Sequence, residues 1–369
     1  MRAIQFKSYG PPEVLRLVTL PLPQPGPGEV RIRLQAAGVA PFDAKLRAGL
    51  LQAHFTPRLP KTVGRDGVGV VDQLGDGVTQ VAVGDAVCVM ADPSTGTCAE
   101  AVVCSTERIV PRPATLSRHQ AAALMQPGVS AWTAVVEAAQ VQAGMRVLVH
   151  GGAGAVGSLM VQLCKHLGAE VSATCRADNR DYVVGLGAAR AIAYDTEDFG
   201  ALREQDVVLD LIGGTTHARS YPVLRKGGHL VYLVAAPIVD KGAEYGVIVT
   251  RSAISDRQPV LSEVARLAEV GVFRPRVAGV FALADAAQAH AALESGSVTR
   301  GRLVLDTGSE SPSSRSAIFS KLSYHALLTQ SIRQGGPRLR ANPVGPHSRS
   351  HGRSGIPGVA AAPDAALMG

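Results

Sequence analysis

The glycine-rich stretch from Gly152 to Gly157 carries the strongest chemical pattern in the sequence. It reads Gly-Ala-Gly-Ala-Val-Gly, with an apolar run at 147–149 before it and apolar residues at helical spacing from 156 to 167 after it. Glycines at a strand-to-helix turn let a diphosphate approach bare backbone N–H groups at the helix N-terminus. The stretch therefore predicts a dinucleotide-binding loop, with a purely structural glycine turn as the alternative. The predicted contacts are Gly152, Gly154, Ala155, Val156 and Gly157.

The end of the next predicted strand indicates which dinucleotide would bind. The sequence there reads Thr174-Cys175-Arg176, and Arg180 follows one helical turn later. An acidic residue at this place accepts a hydrogen bond from the ribose 2′-hydroxyl of NAD, whereas an arginine accommodates the 2′-phosphate of NADP. No acidic residue precedes Asp178 in this stretch. We therefore predict NADPH as the cofactor, with contacts from Thr174, Arg176 and Arg180. The alternative is that Arg176 is an ordinary surface cation.

Two kinds of element must position these residues. From Arg2 to about Val110, short runs separated by turn residues predict an all-β partial barrel. Within it, the alternation of apolar and polar residues at 30–36 is typical of a half-buried antiparallel strand. From Val147, buried-strand runs alternate with amphipathic helices, which predicts a parallel sheet with helices on both faces.

The predicted fold class is therefore α/β, a Rossmann doubly wound parallel sheet together with a partial β-barrel. We predict a β-barrel substrate domain at 1–122 and a Rossmann NADP-binding domain at 123–273. A return segment at 274–306 is expected to fold back onto the barrel and to close a cleft between the domains. The last predicted part is a disordered basic tail at 307–369, which is rich in Ser, Pro, Gly and Arg and lacks periodicity.

Composition argues against several other classes of function. The net charge is +7, but the tail holds seven Lys or Arg against two acids, so the folded part has no basic stripe for nucleic acid. Five irregularly spaced cysteines support neither a disulfide framework nor a zinc knuckle. The first ten residues lack the apolar run of a signal peptide, and no run is long enough to span a membrane. We therefore expect a cytoplasmic protein with no metal, no membrane partner and no nucleic-acid partner.

With this loop and this order of elements, the chain resembles the medium-chain dehydrogenase/reductase superfamily, and within it the zinc-independent quinone oxidoreductase-like branch. The resemblance runs from Met1 to about Asp306, and it implies that the barrel is GroES-like. It rests on the stretches 38–43, 64–69, 147–157, 192–199 and 210–214. Zinc enzymes of the superfamily have a Cys near the start of the first stretch and Gly-His-Glu in the second. This chain has no Cys in the first and Gly64-Arg65-Asp66 in the second, so catalytic zinc is not expected.

The resemblance also implies further cofactor contacts and a likeness in assembly. Ser130 is expected near the nicotinamide and Tyr194 near the 2′-phosphate. Arg302 stands where the superfamily usually has a Lys in a closing Gly-Lys motif. The remaining implied contacts are Ile212, Val234 and Ala235. Relatives pair through edge strands, so a homodimer is expected.

The predicted reaction is hydride transfer from NADPH to a quinone or an α,β-unsaturated carbonyl, after which a donor such as Lys45 or solvent supplies a proton. Lys45 is the best catalytic candidate, whereas Asp43 is expected to stabilise its own turn. Ala40 replaces an Asn that the superfamily commonly has near the nicotinamide, which puts the usual substrate contacts in doubt. The alternatives are an alkenal or enoyl reductase or an alcohol dehydrogenase of the same superfamily. A non-catalytic NADPH-binding protein, acting as a sensor or associated with RNA, is the alternative of another class.

Overall fold

The computed structural model describes residues 1–52, 55–234 and 237–308. Its strands are β1 (Arg2–Phe6), β2 (Arg16–Thr19), β3 (Glu29–Gly38), β4 (Lys61–Thr62), β5 (Asp66–Leu74), β6 (Ala86–Met90), β7 (Ala101–Ser105), β8 (Ile109–Pro111), β9 (Arg146–Val149), β10 (Glu170–Cys175), β11 (Arg190–Ala193), β12 (Gln205–Asp210), β13 (Leu224–Tyr232), β14 (Ile248–Arg251), β15 (Val277–Ala282) and β16 (Arg302–Asp306). Its α-helices are α1 (Pro41–Arg47), α2 (Arg118–Ala122), α3 (Met125–Trp132), α4 (Ala155–His166), α5 (Arg180–Gly185), α6 (Gly214–Ser220), α7 (Gly242–Tyr245), α8 (Gln258–Glu269) and α9 (Ala286–Glu294).

The first part of the chain builds a mainly antiparallel sheet around β3. This strand pairs antiparallel with β5, β7 and β16, while β6 joins β5 to β8. The last strands of the described chain belong to the same sheet, because β15 lies parallel to β16 at its edge. The return segment thus adds its two strands to the sheet of the barrel.

The central strand β3 has the predicted alternation of buried and solvent-facing residues, with one exception. Val30, Ile32 and Leu34 are fully buried, whereas Arg33 on the opposite face is exposed and Gln35 is partly exposed. The prediction of a half-buried antiparallel strand is therefore confirmed. Arg31 is the exception at 9% exposed, and its guanidinium Nε donates to Asp72 Oδ1 over 2.8 Å, which compensates the burial of its charge.

The middle of the chain forms a six-stranded sheet in the order β11-β10-β9-β12-β13-β14. Every strand pair in it is parallel, which confirms the predicted α/β fold class with its Rossmann sheet. The direction of winding reverses between β9 and β12, and ligands of such sheets bind in the crevice beyond the carboxyl ends of the strands at this point. In the largest apolar cluster of the described residues, α4 packs against this sheet, α3 packs against α4 and α8, and α8 also contacts β8 of the barrel.

Two predictions concern the end of the chain and membranes. Thr307, which we assigned to the disordered tail, is 1% exposed, and its amide donates to Gln35 O over 3.2 Å, so it belongs to the barrel. Residues 309–369 lie outside the described part of the structure. Over the ranges that are described, no helix combines the length and the apolar character that crossing a membrane requires.

Candidate active site

The space around the turn between β9 and α4 explains why glycines occupy it. A Cβ on Gly157 would lie 2.2 Å from the carbonyl oxygen of Gly151, and one on Gly152 would lie 2.7 Å from the Cβ of Ala173. The packing of the chain against itself therefore requires these two glycines. Gly154 is different, because the nearest atom to a Cβ there is 3.4 Å away. Its lack of a side chain keeps that part of the loop open to a ligand.

Helix α4 presents its first amides beside this open position. Gly154 is the N-cap residue and supplies no side-chain cap, and the next three residues are Ala155, Val156 and Gly157. N–H groups in the first turn have no acceptor within their own helix, and they lie at the positive end of the helix dipole. This arrangement fits a bound diphosphate.

Thr174, a predicted cofactor contact, forms two hydrogen bonds with the glycine loop. The side chain is buried, its hydroxyl accepts a hydrogen bond from the amide of Gly151 (3.1 Å), and its carbonyl accepts one from Gly152 (2.8 Å). His150 Nδ1 lies 3.2 Å from the hydroxyl oxygen of Thr174, and His150 Nε2 lies 3.0 Å from Ser220 Oγ. Burial lowers the pKa of His150 to about 4, so the ring is neutral at neutral pH.

Ile212 lies on the other side of the switch point, against the glycine loop. Its side chain is 56% exposed, and its Cδ1 would be 3.3 Å from a Cβ placed on Gly151. The buried carboxylate of Asp210 fixes the local backbone, because Oδ1 accepts from the amides of Ile212 (2.8 Å) and Gly213 (2.9 Å). The other oxygen, Oδ2, is 2.8 Å from His217 Nδ1. The sequence analysis quoted this stretch but assigned no role to Asp210 or His217.

The three residues predicted to surround the 2′-phosphate do lie near one another. Arg176 follows β10 and Tyr194 follows the neighbouring strand β11, where the amide of Tyr194 donates to Cys175 O over 3.0 Å. Arg180 begins α5 one turn later. The side chains of Arg176 and Arg180 are 51% and 42% exposed, and Tyr194 is 56% exposed. We call Arg176, Arg180 and Tyr194 the cationic edge.

Each arginine of the cationic edge lies close to an acidic side chain. Asp178 Oδ1 lies 3.9 Å from Arg176 Nε, and Glu197 forms an ion pair with Arg180. Both acids and both arginines are substantially exposed, so these surface pairs contribute little to stability. The arginines can therefore exchange these partners for a phosphate at small cost in free energy.

Of the remaining implied contacts, Ser130 and Val234 are within the described residues. Ser130 is buried within α3, and Val234 follows β13, with its Cγ2 3.0 Å from the position of a Cβ on Gly213. Ala235 falls outside the described residues.

Arg302 is placed differently from the sequence-based expectation. Its side chain is 3% exposed and forms a bidentate ion pair with Asp66, in which both N···O distances are 2.6 Å. The same guanidinium donates to Val39 O (3.2 Å) and Gln126 Oε1 (2.9 Å), and Asp66 Oδ2 also accepts from the amide of Gln126 (2.8 Å). Arg302 therefore joins the barrel to α3 and offers its donors to protein acceptors rather than to a ligand. Its neighbour Gly301 donates to Ala153 O in the glycine loop over 3.0 Å.

A small recess opens on the barrel side of this ion pair. Its enclosed part is small, about 10 Å³, which is room for about one water-sized group, and the rest of its space is open to solvent. Apart from two charged side chains in its wall, Asp43 and Lys61, and the neighbouring Arg65, it is mostly apolar. The lining residues are Phe42, Asp43, Leu46, Phe55, Lys61, Val63, Gly64, Arg65 and Pro93.

The charged groups of the recess differ from the predicted catalytic group. Asp43 does stabilise its own turn, since Oδ2 accepts from the amide of Ala40 over 3.1 Å, and Oδ1 accepts from that of Gly64 over 3.2 Å. Lys45 is exposed on α1 and is not among the lining residues. Lys61, which the sequence analysis overlooked, is buried beside Asp43. A lysine between a proline and a threonine gives no periodic signal from which this position could be inferred.

The residues present do not suit a catalytic zinc ion. Within the described ranges, no group of three or more His, Cys, Asp or Glu side chains is arranged to hold a metal. Arg65 forms an ion pair with Asp256 (3.0 Å), and an arginine is not a zinc ligand. We therefore derive no chemical step from a metal.

Two family profiles match the sequence. The profile described as "Alcohol dehydrogenase GroES-like domain" matches residues 26–141, and the one described as "Zinc-binding dehydrogenase" matches residues 186–305. Among curated proteins, the mitochondrial NAD(P)H oxidoreductase RTN4IP1 of Mus musculus is 29% identical over 354 residues, which cover 83% of this chain and 89% of that protein.

Solved structures of related oxidoreductases are similar to this chain in sequence and in fold. The quinone oxidoreductase from Coxiella burnetii is 34% identical, with a TM-score of 0.73, and the match covers 83% of this chain and 99% of that one. The quinone oxidoreductase of Escherichia coli, solved in complex with NADPH, is 27% identical, with a TM-score of 0.76 and coverage of 83% and 100%. Together with the two profiles and the glycine loop, these similarities show that the chain belongs to the medium-chain dehydrogenase/reductase superfamily, in its quinone oxidoreductase-like branch.

Proposed function

We propose that this chain, a nicotinamide-dependent oxidoreductase by its family, uses NADPH to reduce a quinone or an α,β-unsaturated carbonyl. The observation that carries the proposal is the glycine loop, where Gly154 leaves an open position beside the first amides of α4. The similarity to quinone oxidoreductases, one of them solved with NADPH, supports the choice of reaction and cofactor.

In this proposal the chain supplies binding and orientation. The amides of Ala155, Val156 and Gly157 would hold the diphosphate, and the cationic edge would hold the 2′-phosphate. Ile212, Val234 and Ser130 would line the crevice toward the nicotinamide, and exclusion of water there would favour transfer to the acceptor. The bound cofactor would supply a hydride, which is a proton with two electrons.

A panel of acceptors tests the reaction. Purified protein with NADPH should lose the absorbance band of the reduced nicotinamide when at least one quinone or enone is added. A panel that also contains alkenals, enoyl thioesters and simple ketones separates quinone reduction from the other activities of the superfamily. Tight NADPH binding without turnover on any acceptor would instead support the non-catalytic alternative.

The preference for NADPH has a separate test, Arg176→Asp. Replacement of the guanidinium by a carboxylate should weaken NADPH binding by at least about tenfold, since a hydrogen bond to a charged group contributes roughly 1.5–3 kcal/mol. NADH lacks the 2′-phosphate, so its affinity should change far less. Isothermal titration with both nucleotides measures the two effects.

The matched control for this test is Arg190→Asp, which makes the same change at an exposed arginine at the amino end of β11. It should leave the affinities for both nucleotides close to those of the unmodified protein. Equal losses of NADPH and NADH affinity in Arg176→Asp would remove the argument for NADPH.

A further inference from the structure

The side chain of Lys61 is fixed in the wall of the recess. Strand β4 pairs antiparallel with β1, where Lys61 lies opposite Phe6, and Lys61 is 6% exposed. Its ammonium donates one hydrogen bond to the carbonyl of Thr95. An ammonium has three N–H donors, so the geometry leaves donors of Lys61 for a ligand in the recess.

The electrostatic surroundings make Lys61 a weaker base than an ordinary lysine. Burial lowers its pKa to about 8, although the carboxylate of Asp43 acts in the opposite direction. The charged and titratable groups that face it are Asp43 on α1, Arg65 after β4, Asp92 after β6 and Cys98. A lysine with a pKa of about 8 is largely protonated at neutral pH and can still release its proton.

The recess and the glycine loop are linked by residues that are adjacent in the chain or in direct contact. Gly64 and Arg65 line the recess, and the next residue, Asp66, binds Arg302. Gly301, adjacent to Arg302, pairs with Gly154 and donates to Ala153. The recess and the glycine loop are therefore next to the two ends of the same buried ion pair, Asp66 with Arg302.

We propose that Lys61 binds the oxygen of the acceptor in this recess and protonates it, so that Lys61 is a catalytic residue in place of Lys45. The inference rests on the proposed function, because it assigns the proton donor of that reaction. The ligand class that fits is a phenolate or a quinone, since the enclosed part of the recess admits one oxygen beside the ammonium while the ring lies at the mouth, next to Phe42 and Phe55.

The step balances as follows for a quinone. The bound cofactor would supply a hydride, that is one proton and two electrons, and would itself be oxidised. With that hydride one carbonyl oxygen of the quinone becomes a hydroxyl, and the other oxygen is left as an anion. The N–H bond of the Lys61 ammonium breaks, an O–H bond forms on that oxygen, and Lys61 remains as a neutral amine. Water at the mouth of the recess returns a proton to the amine.

Binding of 4-nitrophenolate to protein free of nucleotide tests the site without turnover. The phenolate absorbs visible light, so a titration at a pH below the pKa of the free dye shows whether the protein stabilises the anion. Lys61→Met, which keeps the length of the side chain, should lower affinity for the anion by at least about tenfold. The control is Lys226→Met, at an exposed lysine of β13 in the other sheet, which should bind the dye like the unmodified protein. Unchanged binding in Lys61→Met overturns the proposal.

Kinetics with NADPH and a quinone test the proton transfer. In the unmodified protein, kcat should fall as pH rises through about 8, because the acid must be protonated to act. Lys61→Arg keeps the cation but does not release a proton in this range, so it should bind the dye while kcat falls by about 100-fold. An unchanged kcat in Lys61→Arg, or a loss of the pH dependence in Lys45→Met instead, overturns the proposal. An unmodified protein that oxidises no NADPH contradicts the proposed function, and the dye titration then decides the binding site on its own.

Discussion

Asp66 is a charged residue at the centre of the molecule, with a side chain that is 0% exposed. Removal of a carboxylate from water costs several kcal/mol unless a partner and hydrogen bonds compensate it. Arg302 supplies two N–H groups at 2.6 Å and the amide of Gln126 supplies a third donor at 2.8 Å. Because these partners come from β5, α3 and β16, the pair joins distant parts of the chain.

Arg302→Met should therefore destabilise the fold strongly. The substitution leaves the buried charge of Asp66 without its partner, and loss of one member of a buried pair costs about 3–5 kcal/mol. Unfolding in urea, followed by circular dichroism, measures this loss of free energy.

The double variant Arg302→Met with Asp66→Asn is the control for this prediction. It removes both charges, so it should regain a large part of the stability lost in the single variant. The opposite pattern, normal stability of Arg302→Met with selective loss of NADPH binding, would return Arg302 to the cofactor contact that the sequence predicted.

At the scale of residues, positions are predictable from the sequence where the signal is local. The glycine loop and Arg176 lie at the expected strand ends because strand, turn and helix follow one another in the chain, and their contacts with a cofactor stay predictions. The partner of Arg302 is 236 positions away, and no pattern in the sequence indicates such a contact. Lys61 was overlooked for the same reason, since its burial depends on β1, α1 and the loop at Thr95.

At the scale of elements, the glycines of the loop between β9 and α4 have different roles. Two are required by packing within the protein, and one leaves an open position that we propose for binding. Gly152 and Gly157 are fixed by contacts within the protein, whereas Gly154 has open space on its ligand side. Gly154 also has φ −70° and ψ 173°, which an alanine can adopt without strain.

Gly154→Ala should fold normally but bind nucleotide poorly. The free energy of unfolding should stay within about 1 kcal/mol of the unmodified value, because the added methyl meets no atom closer than 3.4 Å. Affinity for NADPH should fall by at least about tenfold, because the methyl occupies the space through which a diphosphate approaches the amides. Thermal unfolding and nucleotide titration measure the two quantities.

The matched control is Gly185→Ala, since a Cβ at Gly185 on α5 has no atom within 4 Å. It should change neither stability by more than about 1 kcal/mol nor the affinity for NADPH. If Gly154→Ala binds NADPH as tightly as this control, the loop does not hold the diphosphate in the proposed way.

The elements themselves were largely predictable, and the exceptions have a common physical cause. Period-two and period-3.6 patterns report which face of a strand or helix is apolar, and they gave the order of strands and helices in the Rossmann sheet. They do not report what covers the polar face. Arg31 on β3 and Thr307 after β16 are buried because other parts of the barrel satisfy their polar groups.

At the scale of the whole molecule, the six-stranded sheet has two edges of different character. At one edge, Ala191, Ile192 and Ala193 of β11 are all buried. At the other edge, among the described residues, β14 has β13 as its one neighbour, and its Ile248 is 57% exposed. An edge strand presents unpaired N–H and C=O groups to any strand that can align with it. Among the described residues β11 also has one neighbour, β10, but β14 combines an unpaired edge with an exposed apolar side chain and β11 does not. We therefore propose that two copies of the chain pair at β14.

Ile248→Lys should convert the proposed dimer to a monomer. A charged side chain on an edge strand opposes pairing, because two copies related by a two-fold axis bring the lysines close together in an apolar contact. Size-exclusion chromatography with light scattering should give twice the chain mass for the unmodified protein and a single chain mass for Ile248→Lys. The control is Val184→Lys on α5, where a valine that is 51% exposed receives the same change and the dimer should persist. A monomeric unmodified protein, or an Ile248→Lys variant that remains a dimer, would contradict pairing through β14.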